Sequence, residues 1–327
     1  MIKMAIIGAG LSGLTAASLL KEHADITVYE KARGVGGRMS TRRAEPYYFD
    51  HGSQYFTAYT NSFQKFIRPL LDEGIISPWY ARYVVFDRNK IIHREKWCDR
   101  EPHYVGVTGM NAIGKYLAKG LNIQLNTHIR FAECKDSWEL LDASGQTHKD
   151  FDWIISTVPS PQALELTPKS FKYYSDIKAI KMHACFSVMV GFKKKLSLEF
   201  EAAHVKNSDL TWIASNNRKP KHSENQTLVL HSSAKYAEAN IENDLQEVTE
   251  HLLKETNKLI GHDIRTADYK RIHKWRYATT SKTRESTIFI DKDRKFALCG
   301  DWCLDGQIEG AFTAASHLVN AMKENAL

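Results

Sequence analysis

Cysteine is scarce and scattered. Five occur in 327 residues (Cys98, Cys134, Cys185, Cys299, Cys303), with no C-x-x-C or paired Cys/His spacing. Neither a disulfide framework nor a zinc site is therefore expected. Any run of about 18 apolar residues is also missing, which excludes a membrane-spanning helix. The first residues lead almost at once into a strand, without the apolar core and cleavage site of a signal peptide. A reducing, cytoplasmic location is the expectation. Repeats, low-complexity tracts and Pro/Gly/Ser-rich linkers are absent. No Ser/His/Asp set or pair of carboxylates stands out for acid–base or nucleophilic work. Acidic residues are outnumbered, 38 against 45 Lys and Arg, for a net charge of +7. Such a balance draws anionic small molecules. The basic clusters Lys193-Lys194-Lys195 and Arg218-Lys219-Pro220-Lys221 are short and read as solvated loops or strand ends. No nucleic-acid-binding motif accompanies them.

What is present begins at the first residues. Met4–Ile7 is an apolar run followed by Gly8-Ala9-Gly10-Leu11-Ser12-Gly13. Ile26–Tyr29 then leads into Glu30, and Gly36-Gly37-Arg38 follows. The order is strand, glycine turn, helix, strand, acid, second glycine pair. Gly8 permits the tight turn, Gly10 lets backbone approach a pyrophosphate, and Gly13 lets the helix sit close to the sheet. The helix N-terminus supplies free N–H groups and partial positive charge. Glu30 stands at the tip of the second strand, where a carboxylate can accept ribose hydroxyls. This is a site for an ADP-containing cofactor, and the second glycine pair points to FAD rather than NAD.

Further along, residues 61–73 have helical spacing. Val84–Phe86 and Lys90–His93 form a hairpin pattern, and Gly109-Met110-Asn111 opens a helix through Leu117. Ile123–Leu125, Ile129–Ala132, Trp138–Leu141 and Trp153–Val158 read as a small meander. Its last strand is continuously apolar, as in a buried parallel strand. Phe186–Phe192 and Thr227–Leu230 suit a second sheet. Residues 241–260 are amphipathic, with Asn240 as N-cap and Gly261 as stop. Phe296–Cys299 is a buried-type strand running into Gly300-Asp301-Trp302, and a final helix starts within Gly306–Gly310. The fold class expected is α/β, with a Rossmann-like FAD-binding domain discontinuous in sequence and a second α+β substrate domain. The first comprises 1–62, 104–163 and 286–327, and the second 63–103 and 164–285.

These motifs resemble the flavin amine-oxidase superfamily. Within it, Gly37-Arg38-Met39-Ser40, Gly52-Ser53-Gln54-Tyr55-Phe56-Thr57, His273-Lys274-Trp275-Arg276-Tyr277-Ala278 and Cys299-Gly300-Asp301-Trp302-Cys303 are similar to the renalases, especially the bacterial branch. The resemblance implies non-covalent FAD and oxidation of the 1,2- and 1,6-dihydro isomers of NAD(P)H. Hydride would pass to flavin N5, and O2 would reoxidise the flavin to give H2O2 and NAD(P)+. The implied cofactor-binding residues are Gly8, Gly10, Leu11, Ser12, Gly13, Glu30, Lys31, Gly37, Arg38, Met39, Ser53, Gln54, Tyr55, Ile129, Gly300, Asp301, Glu309, Gly310 and Ala311. Of these, Ser12 would sit beside the pyrophosphate and Glu30 at the adenosine ribose. Ile129 would offer backbone to adenine, Ser53 and Gln54 would run along the isoalloxazine, and Asp301 would hold the ribityl region.

A dihydropyridine becomes aromatic on losing hydride and needs no strong base. Candidates for the substrate pocket are Tyr55, His231, His273, Trp275, Tyr277 and Trp302. Rings would sandwich a nicotinamide and a histidine would bond its carboxamide. Trp302 comes first among them, because it follows Asp301. The alternatives are an amine oxidase or desaturase of the same superfamily, and a non-catalytic flavin-binding protein. The partners expected are a small dihydronicotinamide and O2, with no nucleic acid and no membrane.

Overall fold

A computed structural model describes residues 1–281, 288–304 and 306–325. A six-stranded sheet has the order Phe289–Asp291, Phe296–Leu298, Trp153–Ser156, Ile2–Ile7, Ala24–Tyr29, Asn122–Gln124. All neighbours are parallel except the first pair. The central strands are apolar at nearly every position because both faces are covered. Helix Leu11–Leu20 makes the crossover between Ile2–Ile7 and Ala24–Tyr29, and helix Ile308–Asn325 packs beside it. Buried Met4, Ile6, Leu14, Leu20, Ile154, Phe296 and Leu318 share this core. Phe171 and Ile177, from the start of the expected substrate unit, lie in it as well. Residues 286, 287, 305, 326 and 327 of the expected FAD-binding unit fall outside the described residues.

A seven-stranded sheet has the order Tyr269–Thr280, Met182–Phe192, Gln226–Ser232, Leu210–Ser215, Ala202–Lys206, Arg82–Asp87, Lys90–Lys96. Alternation along Met182–Phe192 divides its two faces. Phe186, Val188 and Val190 pack with Val248, Leu252 and Leu253 of helix Leu245–Ile260. Met189 turns the other way, onto Tyr47 and Phe49 of the hairpin Thr41–Asp50. One face of this sheet is thus sealed by a helix, and the other is left to build a site.

Three expectations are corrected by tertiary pairing. Ile123–Leu125 is not in the meander, because Asn122–Gln124 pairs in parallel with Ala24–Tyr29. Trp153–Ser156 likewise leaves it, pairing in parallel with Ile2–Ile7 in the same sheet. The meander is Ile129–Cys134, Trp138–Asp142 and Thr147–Phe151, and the last of these is too polar to show an apolar pattern. The amphipathic helix begins at Leu245 rather than 241. The Asp244 carboxylate accepts from Gln246 N and Glu247 N, whereas Asn240 ends a separate helix, Ala234–Asn240. Gly261 does stop the helix, at φ +69°. Among the described residues, no helix is long and apolar enough to cross a membrane.

Candidate functional site

One cavity of about 1300 Å³ runs from the glycine loop to the open face of the seven-stranded sheet. At the glycine end the wall is mostly backbone. A Cβ on Gly13 would lie 1.9 Å from the Gly8 carbonyl oxygen, so only glycine permits this helix–strand approach. A Cβ on Gly10 would meet nothing within 4 Å, since Gly10 faces open space. No side chain caps helix Leu11–Leu20. Its first N–H groups are therefore unpaired beside Gly10, Leu11 and Ser12, which line the cavity. That cradle fits the pyrophosphate of a dinucleotide. Buried Glu30 accepts from Ala9 N and Ala32 N, each at 2.8 Å, and lines the same wall with Lys31 and Ile129.

The chain ends meet here. Ser12 Oγ donates to Ala311 O at 2.9 Å. Arg38 Nη1 donates to Asp301 Oδ2 and to Ala278 O, both at 2.9 Å. Gly37 reaches φ +55° in the turn before Arg38, and a Cβ there would sit 3.2 Å from Gly10 Cα. Three stretches far apart in sequence thus clasp one cavity.

At the other end the wall is built from side chains set in register across strands. Trp212 pairs with His231, His231 with Ser187, and Ser187 with His273, forming one row over four strands. Cys185 lies opposite Trp275, one step along. His51 comes in from the loop after the hairpin. Its ring stacks on Trp275 at 5.5 Å and meets His273 edge-on at 4.9 Å. Trp275 Nε1 donates to His51 O at 2.9 Å. Tyr55 packs against Trp97, His103 and Trp212. Burial, then the neighbouring His273 and Arg42, pushes the His51 imidazole down to about 3. Burial and the Lys219 charge push His231 down to about 4, and burial with Arg42 lowers His273. All three are neutral imidazoles at ordinary pH.

Behind this wall lies a buried ion cluster. Lys219 Nζ is 3.1 Å from Asp50 Oδ2 and 3.4 Å from Gln54 Oε1. Both side chains of the ion pair are fully buried. Asp50 also accepts from Thr41 Oγ1 and Met110 N, and His222 Nε2 lies 2.9 Å from it. Burial opposes ionisation, but Lys219, His222 and the Met110 amide hold this carboxyl well below the usual carboxylate range. The Gln54 amide is oriented as a result. Its oxygen faces Lys219, while Nε2 donates to Gly52 O at 3.0 Å and faces His231 Nε2 at 3.5 Å.

Most of the residues expected at the site line the cavity. They include Gly8, Gly37, Arg38, Met39, Ser53, Gln54, Tyr55, His231, His273, Trp275, Tyr277, Asp301 and Ala311. Gly13, Gly300, Trp302, Glu309 and Gly310 do not. Trp302 is the main correction. It is fully buried, its Nε1 donates to Val158 O at 3.0 Å, and its ring stacks on Phe289. A Cβ on Gly300 would lie 2.3 Å from Trp302 Nε1, so Gly300 makes room for that indole. The Glu309 carboxylate accepts from Tyr59 N and Thr60 N at 2.8 Å each, holding the start of helix Asn61–Asp72. Lys219 is not a solvated loop charge, whereas its neighbour Arg218 is exposed. Trp212, Cys185 and His204 line the cavity although the sequence pattern does not single them out. Strand alternation alone does not say which sheet face is open.

Residues 99–322 match the flavin containing amine oxidoreductase family, and residues 6–70 match an NAD(P)-binding Rossmann-like domain. Renalase of Mus musculus is 30% identical over 180 residues, 51% of this chain and 49% of that protein. The chain thus spans about half the length of this curated relative. A 4,4'-diapophytoene desaturase of Staphylococcus aureus is 40% identical over 52 residues, 16% of this chain and 10% of that protein. Among solved structures, a chain from Exiguobacterium sp. 255-15 assigned as a protoporphyrinogen oxidase has a TM-score of 0.78 at 13% identity, covering 99% of both chains. Putrescine oxidase bound to putrescine has a TM-score of 0.72 at 13% identity, again covering 99% of both. Likeness at that identity shows the fold alone. With the family model matched over most of the chain and a dinucleotide cradle at the N-terminal end, the chain belongs to the flavin containing amine oxidoreductase family and is similar to renalase over half its length.

Proposed function

We propose that the chain is an FAD-dependent oxidase that takes hydride from the 1,2- and 1,6-dihydro isomers of NAD(P)H, with FAD held non-covalently. Backbone N–H groups at Gly10, Leu11 and Ser12 would hold the pyrophosphate, Glu30 the adenosine ribose and Ile129 the adenine. Arg38, Ser53, Gln54 and Asp301 would hold the ribityl and ring portion. Bound FAD would supply the hydride acceptor and hand the two electrons and the proton of that hydride to O2, which with one further proton from solvent gives H2O2 and leaves NAD(P)+.

The observation that carries this reading is the wall of neutral imidazoles and aromatic rings facing the dinucleotide cradle. A donor that gains aromaticity on losing hydride leaves no proton for a base to remove from carbon. Among the described lining residues the carboxylates are Glu30, Glu165 and Asp301. Glu30 and Asp301 are already engaged by amides and by Arg38. Neutral His231 and His273 can bond a carboxamide without adding charge. Tyr55, Trp212 and Trp275 offer ring faces to a pyridine and exclude water from it. Non-covalent holding is supported by Cys185, the one cysteine among the described lining residues, whose thiol burial pushes up to about 12. Such a group is a poor nucleophile.

Stopped-flow bleaching of the flavin near neutral pH tests the reading. The 1,2- or 1,6-dihydro isomers should reduce it at least tenfold faster than ordinary NADH. Equal rates, or faster reduction by an amine, would overturn it.

A further inference from the structure

Charge along the cavity is strongly one-sided. Among the described lining residues eight are Lys or Arg, against three carboxylates. The cofactor's pyrophosphate does not remove that excess. Several of the cations are accounted for locally. Arg38 pairs with Asp301, Lys274 and Arg276 reach Glu242, and Lys31 and Arg33 are exposed on the loop after Glu30, at the glycine end. Arg42, Arg43 and Lys115 remain. None of the three has a side-chain hydrogen bond or ion pair with any described residue, and Arg42 Nε is a buried donor without a partner. A buried unpaired donor is costly unless something supplies an acceptor.

These three cations all line the cavity. Arg42 stands close enough to His51 and His273 to disfavour their protonation, and Arg43 acts likewise on Lys115. The strand and the helix that carry them are tied together, since Asn111 N donates to Thr41 Oγ1 at 3.3 Å. Lys115 lies one helical turn beyond Asn111. The three therefore lead from the imidazole wall, where the proposed nicotinamide would sit, along the hairpin to the helix Asn111–Leu117.

We infer that Arg42, Arg43 and Lys115 form an anion-binding rim for the 5′-phosphate of the substrate, so that nucleotides are preferred over the phosphate-free riboside. The inference rests on the dihydronicotinamide reading for its placement, but it can be tested apart from turnover. A guanidinium fork with a free donor suits a phosphate oxygen pair, and Lys115 adds a point charge. The neutral imidazoles add no charge of their own, so the anion has to be held by these three cations.

The test uses the FAD-loaded protein and two probes, nicotinamide mononucleotide and nicotinamide riboside, with binding followed by perturbation of the flavin spectrum. The mononucleotide should bind about ten- to hundredfold more tightly, the range of one charge-assisted phosphate contact. The advantage should shrink as salt rises. In Arg42→Gln and in the triple variant Arg42→Gln/Arg43→Gln/Lys115→Gln it should fall towards unity, with FAD content unchanged. Equal binding of the two probes by the wild type overturns the rim, as does an advantage that survives the triple variant. Loss of FAD from the variants would also overturn it, by placing these cations at the cofactor's own phosphates. If the rim passes but no dihydro isomer bleaches the flavin, the oxidase reading fails and the phosphate site stands. If dihydronicotinamide riboside and mononucleotide bleach the flavin equally fast, the oxidase reading stands and the rim fails.

Discussion

At the glycine end the cavity wall is backbone: amides at the start of Leu11–Leu20, with one carboxylate on the next strand tip. At the histidine end it is side chain: Trp212, His231, His273 and Trp275 on three strands, joined through Met182–Phe192, with His51 laid over them. Backbone cradles tolerate little change in shape, because the atoms that bind also carry the fold. A side-chain wall can change chemistry while the sheet stays intact. That difference predicts that the two ends fail in different ways.

The largest effect is expected behind the histidine wall. Lys219→Met leaves Asp50 ionised and buried without its ammonium. Breaking a fully buried pair of this kind costs about 3–5 kcal/mol. Thermal or denaturant unfolding would read the loss, and Asp50→Asn/Lys219→Met should cost less than the sum of the single variants. A single-variant loss below about 1 kcal/mol would mean that the ion pair does not brace this end. The glycine end should break differently. Gly13→Ala forces a methyl against the Gly8 carbonyl, which overpacking data place at about 1–3 kcal/mol or more. Because the helix must shift away from its strand, flavin content should drop along with stability. A stable Gly13→Ala protein with full flavin would refute the close-approach argument.

The glycine end is legible in the sequence because its signals are local. A strand, a glycine turn and an acid lie within 30 residues, and each needs its residue type for a backbone reason. The late strand Phe296–Leu298 can be read too, since burial on both faces leaves an unbroken apolar run. The histidine end is legible only in part. His231, His273 and Trp275 can be suspected from their chemistry, but their adjacency depends on pairing across 40 and more residues. Trp212 gives no signal, because nothing in its strand says which face is open. Lys219 misleads because a Lys-Pro-Lys run looks like solvent-exposed loop. Its partner Asp50 is 169 residues away in sequence.

A smaller effect at the histidine end is read by pH. Unfolded, His51 and His231 would protonate below about pH 6.5. Folded, they stay neutral down to about 3 and 4. Between those values the unfolded chain binds more protons, so stability should fall as pH drops from about 6.5 towards 4. Melting temperatures recorded across that window should show the decline, and His231→Gln should flatten it. A slope unchanged by the substitution would mean that His231 is not held neutral.

The smallest effect concerns Trp302, and it tests which side of the wall that residue belongs to. Its indole is sealed between Phe289 and Gly300, and its N–H is committed to Val158 O. Trp302→Phe keeps a ring in the core and deletes that hydrogen bond. The cost should be about 1 kcal/mol of stability, the net worth of one neutral buried bond, with a small addition for lost ring volume. Flavin reduction by the dihydro isomers should stay within about twofold of wild type, because no atom of Trp302 lines the cavity. Trp275→Phe is the proper contrast. It removes the bond to His51 O and takes a ring from the wall itself, so substrate binding should weaken while the core is spared. If Trp302→Phe slowed reduction tenfold and Trp275→Phe did nothing, the sheet face assigned to the substrate would be the wrong one.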